Sequence, residues 1–99
     1  MKPVLFHPRF QTDLAEALQY YESEAGPETA NRFFHSIEIA ITEISKNPRL
    51  HHFDASGFRG YNFAPFPYHI LYFETPRQIA IQVLKHNQRH PTFGLRRQF

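Results

Sequence analysis

The chain has 99 residues, of which 41% are apolar and 16% aromatic, and it contains no cysteine. This length fits one domain with a single core, spanning residues 1–99, and the apolar content argues against disorder. The lack of cysteine excludes disulfides, thiolate metal sites and cysteine nucleophiles. No apolar run approaches the roughly 20 residues that cross a bilayer, and no secretory signal is recognisable at the start. We therefore expect a cytoplasmic protein that does not enter a membrane.

Charge is divided unevenly along the sequence. Residues 1–45 carry three lysines and arginines against seven acidic residues, whereas residues 46–99 carry eight against two. This asymmetry indicates a basic surface that binds an anionic partner, or a basic half that the acidic half compensates within the fold.

The first quarter of the sequence predicts a short strand and an amphipathic helix. Residues 3–6 form a brief apolar run that Pro8 stops, which is typical of a strand. From Phe10 to Tyr21, apolar residues then recur at spacings of three and four, which is the helical period. The aromatic residues Tyr20 and Tyr21 are expected to lie mostly in the core.

A second helix follows after two residues that interrupt the first. Gly26 ends the first helix, and Pro27 suits the first position of the next. Asn47 and Pro48 close the second helix, because the residue before proline is disfavoured in a helix. Two helices joined this closely form an antiparallel hairpin. The stripe predicted to be buried on the second helix consists of Ala30, Phe33, Phe34, Ile37, Ala40, Ile41 and Ile44.

The second half of the sequence predicts three strands, at residues 58–64, 68–74 and 78–85. Proline-containing turns of hairpin length join them. Both alternating sets in the last strand are largely apolar, so we expect this strand to be central in its sheet or covered on both faces. The predicted fold is α+β in the order β-α-α-β-β-β, with the helical hairpin packed on a mainly antiparallel four-stranded sheet.

Two sets of short motifs resemble a known family. The first half contains DL at residues 13–14, YYE at 20–22 and ANRF at 30–33, and the second contains FPYHILY at 66–72 and HNQRHP at 86–91. In this order and spacing they resemble the RelE/ParE superfamily of bacterial toxins. The second set is similar to the ParE-like, or plasmid stabilisation, branch. The order of predicted elements is also that of the superfamily.

The resemblance implies the toxin of a type II toxin–antitoxin module. Such a toxin is held inactive by a cognate antitoxin, whose acidic, partly disordered C-terminal segment wraps around it. The resemblance implies no cofactor, and contact with DNA only through the antitoxin. ParE-like members inhibit DNA gyrase by protein–protein binding, whereas RelE-like members are enzymes that cut messenger RNA in the ribosome. A third reading is a structural relative that is not toxic.

The residues expected of a RelE-like nuclease are largely absent. Metal-free RNA cleavage needs a base, an acid and cations that stabilise the developing charge. RelE-like enzymes supply lysines and arginines on the sheet and often a C-terminal tyrosine. The matching positions hold Gly60, Asn62, His69 and Phe93, so this set is incomplete. The sequence therefore favours the ParE-like interpretation, with gyrase as the target.

A different nuclease site is the alternative. His69 and His86 titrate near neutrality and would lie at the same edge of the sheet if their strands pair, where they can act as base and acid. Arg59 and Arg89 would then bind phosphate through paired N–H groups. The structural alternatives are histidines that only pack or form hydrogen bonds, and arginines that pair with acidic helix residues such as Asp13 or Glu16.

The remaining basic and histidine residues carry weaker predictions. Arg96 is a candidate for binding the target or a phosphate. Solvated charge is the favoured reading for the Arg96–Arg97 pair, with binding of the antitoxin or the target second. No metal site is expected, because the adjacent His51 and His52 cannot easily converge on one ion.

Overall fold

The computed structural model describes residues 2–99, and a strand and two helices make up its first half. Strand β1 spans Val4–Phe6, helix α1 spans Phe10–Ala25 and helix α2 spans Pro27–Lys46. Gly26 alone separates the helices and has φ = 91°, a region that favours glycine. Pro27 then fits the first turn of α2, where no partner for a backbone N–H is needed. The two helices fold back on each other and pack together as the predicted hairpin.

The second half contributes strands β2 (Arg59–Asn62), β3 (Tyr68–Glu74) and β4 (Ile79–His86). The sheet order is β1-β4-β3-β2, with β1 parallel to β4 and the other two pairs antiparallel. The predicted α+β fold and its element order are therefore confirmed. β3 has its predicted bounds, β2 is shorter than the predicted run at both ends, and β4 begins and ends one residue later than predicted.

The core lies between the helix pair and the sheet, and Phe33 is at its centre. This side chain is fully buried. Its ring lies between 4.9 and 5.6 Å from the rings of Tyr21, Phe63, Phe66 and Tyr68. Burial of one large apolar side chain contributes about 1.5–3 kcal/mol, so this aromatic cluster is a major stabilising feature.

The buried face of the helices differs from the prediction at its margins. The buried residues of α2 are Ala30, Phe33, Ile37, Ala40 and Ile44. The prediction is wrong for Phe34, which is 41% exposed, because it lies about 100° around the helix from Phe33. Ile41 is half-buried at the edge of the stripe. The prediction for Tyr20 is also wrong, since it is 55% exposed, whereas Tyr21 packs against the core.

The central strand β4 is buried on both faces, as its apolar composition predicts. Every residue from 79 to 85 is buried. Residues 90–99, the C-terminal tail, fold back over the side away from the helices. There Gly94 lies so close to Val83 that an added Cβ would be 2.6 Å from Val83 Cγ2, and its φ is +79°. Only glycine fits at this contact between the tail and the sheet.

Candidate functional site

His69 and His86 lie at the end of the sheet where β3 begins and β4 ends. Tyr68 is opposite His86, and His69 is opposite Lys85. Residues directly across two strands share a face, and successive residues alternate. His86 therefore shares the helix-facing side with Tyr68, whose ring is 5.1 Å away, and His69 points to the other face. The two histidines share one edge, as expected, but the structure does not bring them together on one face.

A β-bulge in β4 is the reason for this separation. Tyr72 pairs with Ile81 and Leu71 with Val83, so Gln82 is an extra residue without a partner in β3. An extra residue shifts the register by one and moves the following side chains to the opposite face. In an unbroken ladder, His69 and His86 would lie on the same face.

The hydrogen bonds of the two rings are local. His69 Nδ1 lies 2.7 Å from Asn87 Oδ1. His86 Nδ1 accepts a hydrogen bond from the backbone N–H of Gln88 at 3.0 Å, so a neutral His86 carries its proton on Nε2. Within residues 2–99 neither ring pairs with a carboxylate. No carboxylate therefore orients either imidazole as a general base.

The sheet face away from the helices includes the two positions where RelE-like enzymes have lysines. Gly60 pairs with Leu71 and Asn62 pairs with His69, so both positions belong to the His69 face. Gly60 has no side chain, and the amide of Asn62 carries no charge. Neither residue can protonate a leaving group or neutralise a phosphate.

Lys85 is a cation on this face to which the sequence patterns did not point. It is 6% exposed, and its ammonium group donates to the carbonyl oxygens of Pro91 at 2.9 Å and Phe93 at 3.4 Å. Burial lowers the pKa of Lys85. Together with His69 and Arg89 it lines an open concavity of about 410 Å³. The available signal in the sequence was a lysine near the end of a strand with mostly apolar residues.

Arg59 is at the start of β2, towards the other end of the sheet from this concavity. Its Nη1 donates to the carbonyl oxygens of His51 at 2.8 Å and Arg49 at 3.4 Å. Its guanidinium lies 4.1 Å from the centre of the Phe53 ring. These contacts of Arg59 stabilise the segment before β2. The structure does not bring Arg59 together with Arg89.

Arg89 and Arg96 follow β4 and are both exposed. The guanidinium of Arg89 lies 4.0 Å from the centre of the Phe93 ring. Within residues 2–99 neither arginine pairs with a carboxylate. A guanidinium that stacks on an aromatic ring keeps its N–H edge free, so Arg89 remains available to an anion, and so does the exposed Arg96.

Arg97 is not the solvated charge that the sequence predicts. Its side chain is 10% exposed and that of Asp13 is 5% exposed. Arg97 Nη1 and Nη2 each donate to the Asp13 carboxylate at 2.7 Å, a bidentate pair. Asp13 Oδ2 also accepts from the backbone N–H of Leu84 at 3.2 Å. Asp13 is thus occupied by Arg97, and neither Arg59 nor Arg89 pairs with it.

The side chain of Gln82, the bulged residue, binds the backbone of the tail. It is 1% exposed, and its Nε2 lies 2.9–3.2 Å from the carbonyl oxygens of Gly94, Leu95 and Arg97. Buried polar groups are stable when such partners satisfy them. Asp13, Gln82 and Lys85 are called the tail anchor below, because each buries a polar group that binds the tail.

No helix within residues 2–99 combines the length and the apolar character that a membrane span requires. The same residues contain no group of three or more histidine, aspartate and glutamate side chains placed to hold a metal ion.

Solved structures and curated proteins were compared with this chain. The chromosomal ParDE TA system from P. aeruginosa is similar, with a TM-score of 0.71 and 15% identity, over 87% of this chain and 96% of that chain. At this identity the likeness shows the fold alone. No curated protein matches the chain significantly.

The family comparison covers most of the sequence. The family model described as ParE toxin of type II toxin-antitoxin system, parDE, matches residues 4–90. The match includes both helices and all four strands, and it leaves residues 91–99 of the tail outside. The chain therefore belongs to the ParE toxin family of type II toxin–antitoxin systems.

Proposed function

We propose that this chain is a toxin that inhibits DNA gyrase by protein–protein binding and that a cognate antitoxin neutralises. The observation that carries the proposal is the family match over residues 4–90. The geometry of the sheet supports binding over catalysis, since His69 and His86 lie on opposite faces and Gly60 and Asn62 bring no charge. In this proposal the protein works in the cytoplasm, needs no cofactor and reaches DNA only through the antitoxin.

The antitoxin is proposed to have an acidic, partly disordered C-terminal segment. The excess of basic residues after residue 45 supports this, as do the exposed Arg89 and Arg96, which have no carboxylate partner among residues 2–99. Opposite charge accelerates the encounter of two proteins and favours the correct partner.

The test uses purified protein and purified gyrase. Supercoiling of relaxed plasmid should fall as this protein is added, and cleaved DNA should accumulate. The double variant His69→Gln/His86→Gln should inhibit as strongly as the wild type, because binding needs no proton transfer. Unchanged supercoiling at a large molar excess would reject gyrase as the target.

The concavity on the His69 face supports a second candidate, a ribosome-dependent mRNA endoribonuclease. His69 lines that concavity together with two cations, Lys85 and Arg89, and would act as the base or acid. Ribosomes programmed with a defined mRNA should then show cuts that His69→Gln abolishes. His86→Gln should leave these cuts unchanged, since His86 lies on the other face. Cuts that persist in both variants would exclude a histidine-based site.

A further inference from the structure

A cleft between the start of α1 and the C-terminal tail brings four arginines together. It is open to solvent and has a volume of about 630 Å³. It is called the arginine cleft below, and its charged side chains are Arg9, Asp13, Glu16, Arg89, Arg96 and Arg97. These residues come from two segments far apart in the sequence, so the fold concentrates the charge.

Within residues 2–99, only one of the four arginines is neutralised by a carboxylate. Arg97 pairs with Asp13, and both carboxylate oxygens take part. The remaining three arginines are exposed and have no carboxylate partner within residues 2–99. They are Arg9, Arg89 and Arg96. Glu16 is the further acidic residue of the lining, so the cleft keeps a net positive charge and is suited to an anionic ligand.

Phe93 gives part of the cleft a fixed geometry. The centre of its ring lies 4.0 Å from Arg89 Cζ and 5.2 Å from Arg97 Cζ. Asp13 holds Arg97, and Lys85 donates to the backbone carbonyl of Phe93. The ring is therefore a fixed support on which Arg89 stacks. The free N–H edge of that guanidinium matches the two oxygens of a carboxylate.

We propose that the arginine cleft binds an acidic, extended segment of the antitoxin, an inference that rests on the proposed function. Three guanidiniums at separate positions require several carboxylates in one segment, and not a single small anion. The hydroxyls of Thr12 and Thr92 also line the cleft and can bind peptide groups. A nucleic acid is disfavoured, since Glu16 repels phosphates and Phe93 is already covered by guanidinium groups and not free to stack on a base.

The experiment measures binding of a fluorescein-labelled decaglutamate peptide to the purified full-length protein by fluorescence anisotropy, at low ionic strength. The wild type should bind saturably, and affinity should fall as salt is added. Arg89→Glu should weaken binding about tenfold, and the triple variant Arg9→Glu/Arg89→Glu/Arg96→Glu should abolish it. All three side chains are exposed, so circular dichroism should show an unchanged fold.

A matched control separates the cleft from general electrostatics. The triple variant Arg32→Glu/Lys46→Glu/Arg77→Glu makes the same change in net charge at exposed positions outside the cleft. It should bind the peptide far better than the cleft variant. Equal losses in the two triple variants would overturn the proposal, and so would a decauridylate RNA that binds the cleft more tightly than the peptide.

Growth assays without antitoxin distinguish the antitoxin from the target as the occupant. Cells that express Arg9→Glu, a cleft variant at a residue with no part in the nuclease alternative, should stop growing as they do with the wild type. A folded cleft variant that has lost toxicity would assign the cleft to the target and overturn the proposal. If the wild type itself leaves growth unaffected, the proposed function fails, while the peptide titration still decides whether the cleft binds acidic segments.

Discussion

The side of the sheet that faces the helices is packed by aromatic and aliphatic side chains, whereas the other side is covered by a tail that buried polar groups hold. On the helix side, Phe33 alone packs against four aromatic rings. The tail is held by particular polar contacts: Lys85 donates to the carbonyl oxygens of Pro91 and Phe93, and Asp13 of α1 binds the Arg97 guanidinium. When apolar side chains are truncated, the loss of stability grows with the volume removed. When one partner of a buried polar contact is removed, the other partner is left unsatisfied.

The largest expected effect is on the helix side. Phe33→Ala should lower the free energy of unfolding by about 3–5 kcal/mol, because it removes a fully buried ring and leaves a cavity. Phe34→Ala is the matched control and should cost less than about 1 kcal/mol, since this side chain is 41% exposed. Urea denaturation measures both variants. Similar losses at the two positions would contradict the placement of the core.

The next largest effect is expected on the tail side. Asp13→Asn should destabilise the protein by about 3 kcal/mol, because it leaves the Arg97 charge buried without its partner. Glu22→Gln, on the exposed face of the same helix, is the control. The double variant Asp13→Leu/Arg97→Met should recover part of the loss, since it removes both charges. The single variants Asp13→Leu and Arg97→Met complete the comparison. If the double variant loses as much stability as these two single variants together, the pair is not coupled.

Tyr72 allows a test by pH, because it is a polar group inside the helix-side core. Its hydroxyl donates to the carbonyl oxygen of Pro48 at 2.7 Å, and burial raises its pKa to about 12. A folded pKa above the unfolded value of about 10 gives stability that is fully present below pH 10 and is lost as the pH rises towards 12. The loss should amount to about 2–3 kcal/mol.

The control for this titration is Tyr72→Phe, which lacks the ionisable group. Denaturation curves at about pH 9 and about pH 11.5 should show a smaller fall in stability for Tyr72→Phe than for the wild type. Equal falls in the two proteins would show that Tyr72 does not resist ionisation in the folded state.

The smallest effect is expected at the bulge. Gln82→Met keeps the volume but removes the amide that binds three tail carbonyls, and should cost about 1–2 kcal/mol. Amide hydrogen exchange should accelerate at residues 94–97 and stay unchanged in α2, because the lost contacts are confined to the tail. Faster exchange throughout both regions would mean that the tail and the helices open as one unit.

The difference between the two sides also explains which features the sequence could predict. Apolar residues repeat with the period of their element, so both helices, β3 and the buried character of β4 were predictable. Phe34 and Tyr20 were misplaced because periodicity does not define the margin of a buried stripe. The Asp13–Arg97 pair joins residues 84 positions apart, and a single polar contact has no periodic signal.

The sequence predicts where the candidate site residues lie along the sheet, but it does not predict the face on which each of them lies. The sequence placed His69 and His86 at one end of the sheet, but their faces depend on the bulge at Gln82. A single extra residue reverses the orientation of all that follow, and nothing in the alternation of β4 marks it. Arg9 and Arg96 meet at one cleft only because the tail reaches α1, where Arg97 pairs with Asp13.

The most direct measurement of the central claim is induction of this chain in bacteria that lack its antitoxin, with DNA breaks and mRNA integrity followed in the same cultures. The account predicts DNA breaks and an SOS response, at equal levels for the wild type and for His69→Gln/His86→Gln, while mRNA stays intact. Rapid translation arrest with mRNA cuts that the His69→Gln substitution removes would contradict it, and unimpaired growth with abundant folded protein would show that the chain is not a toxin.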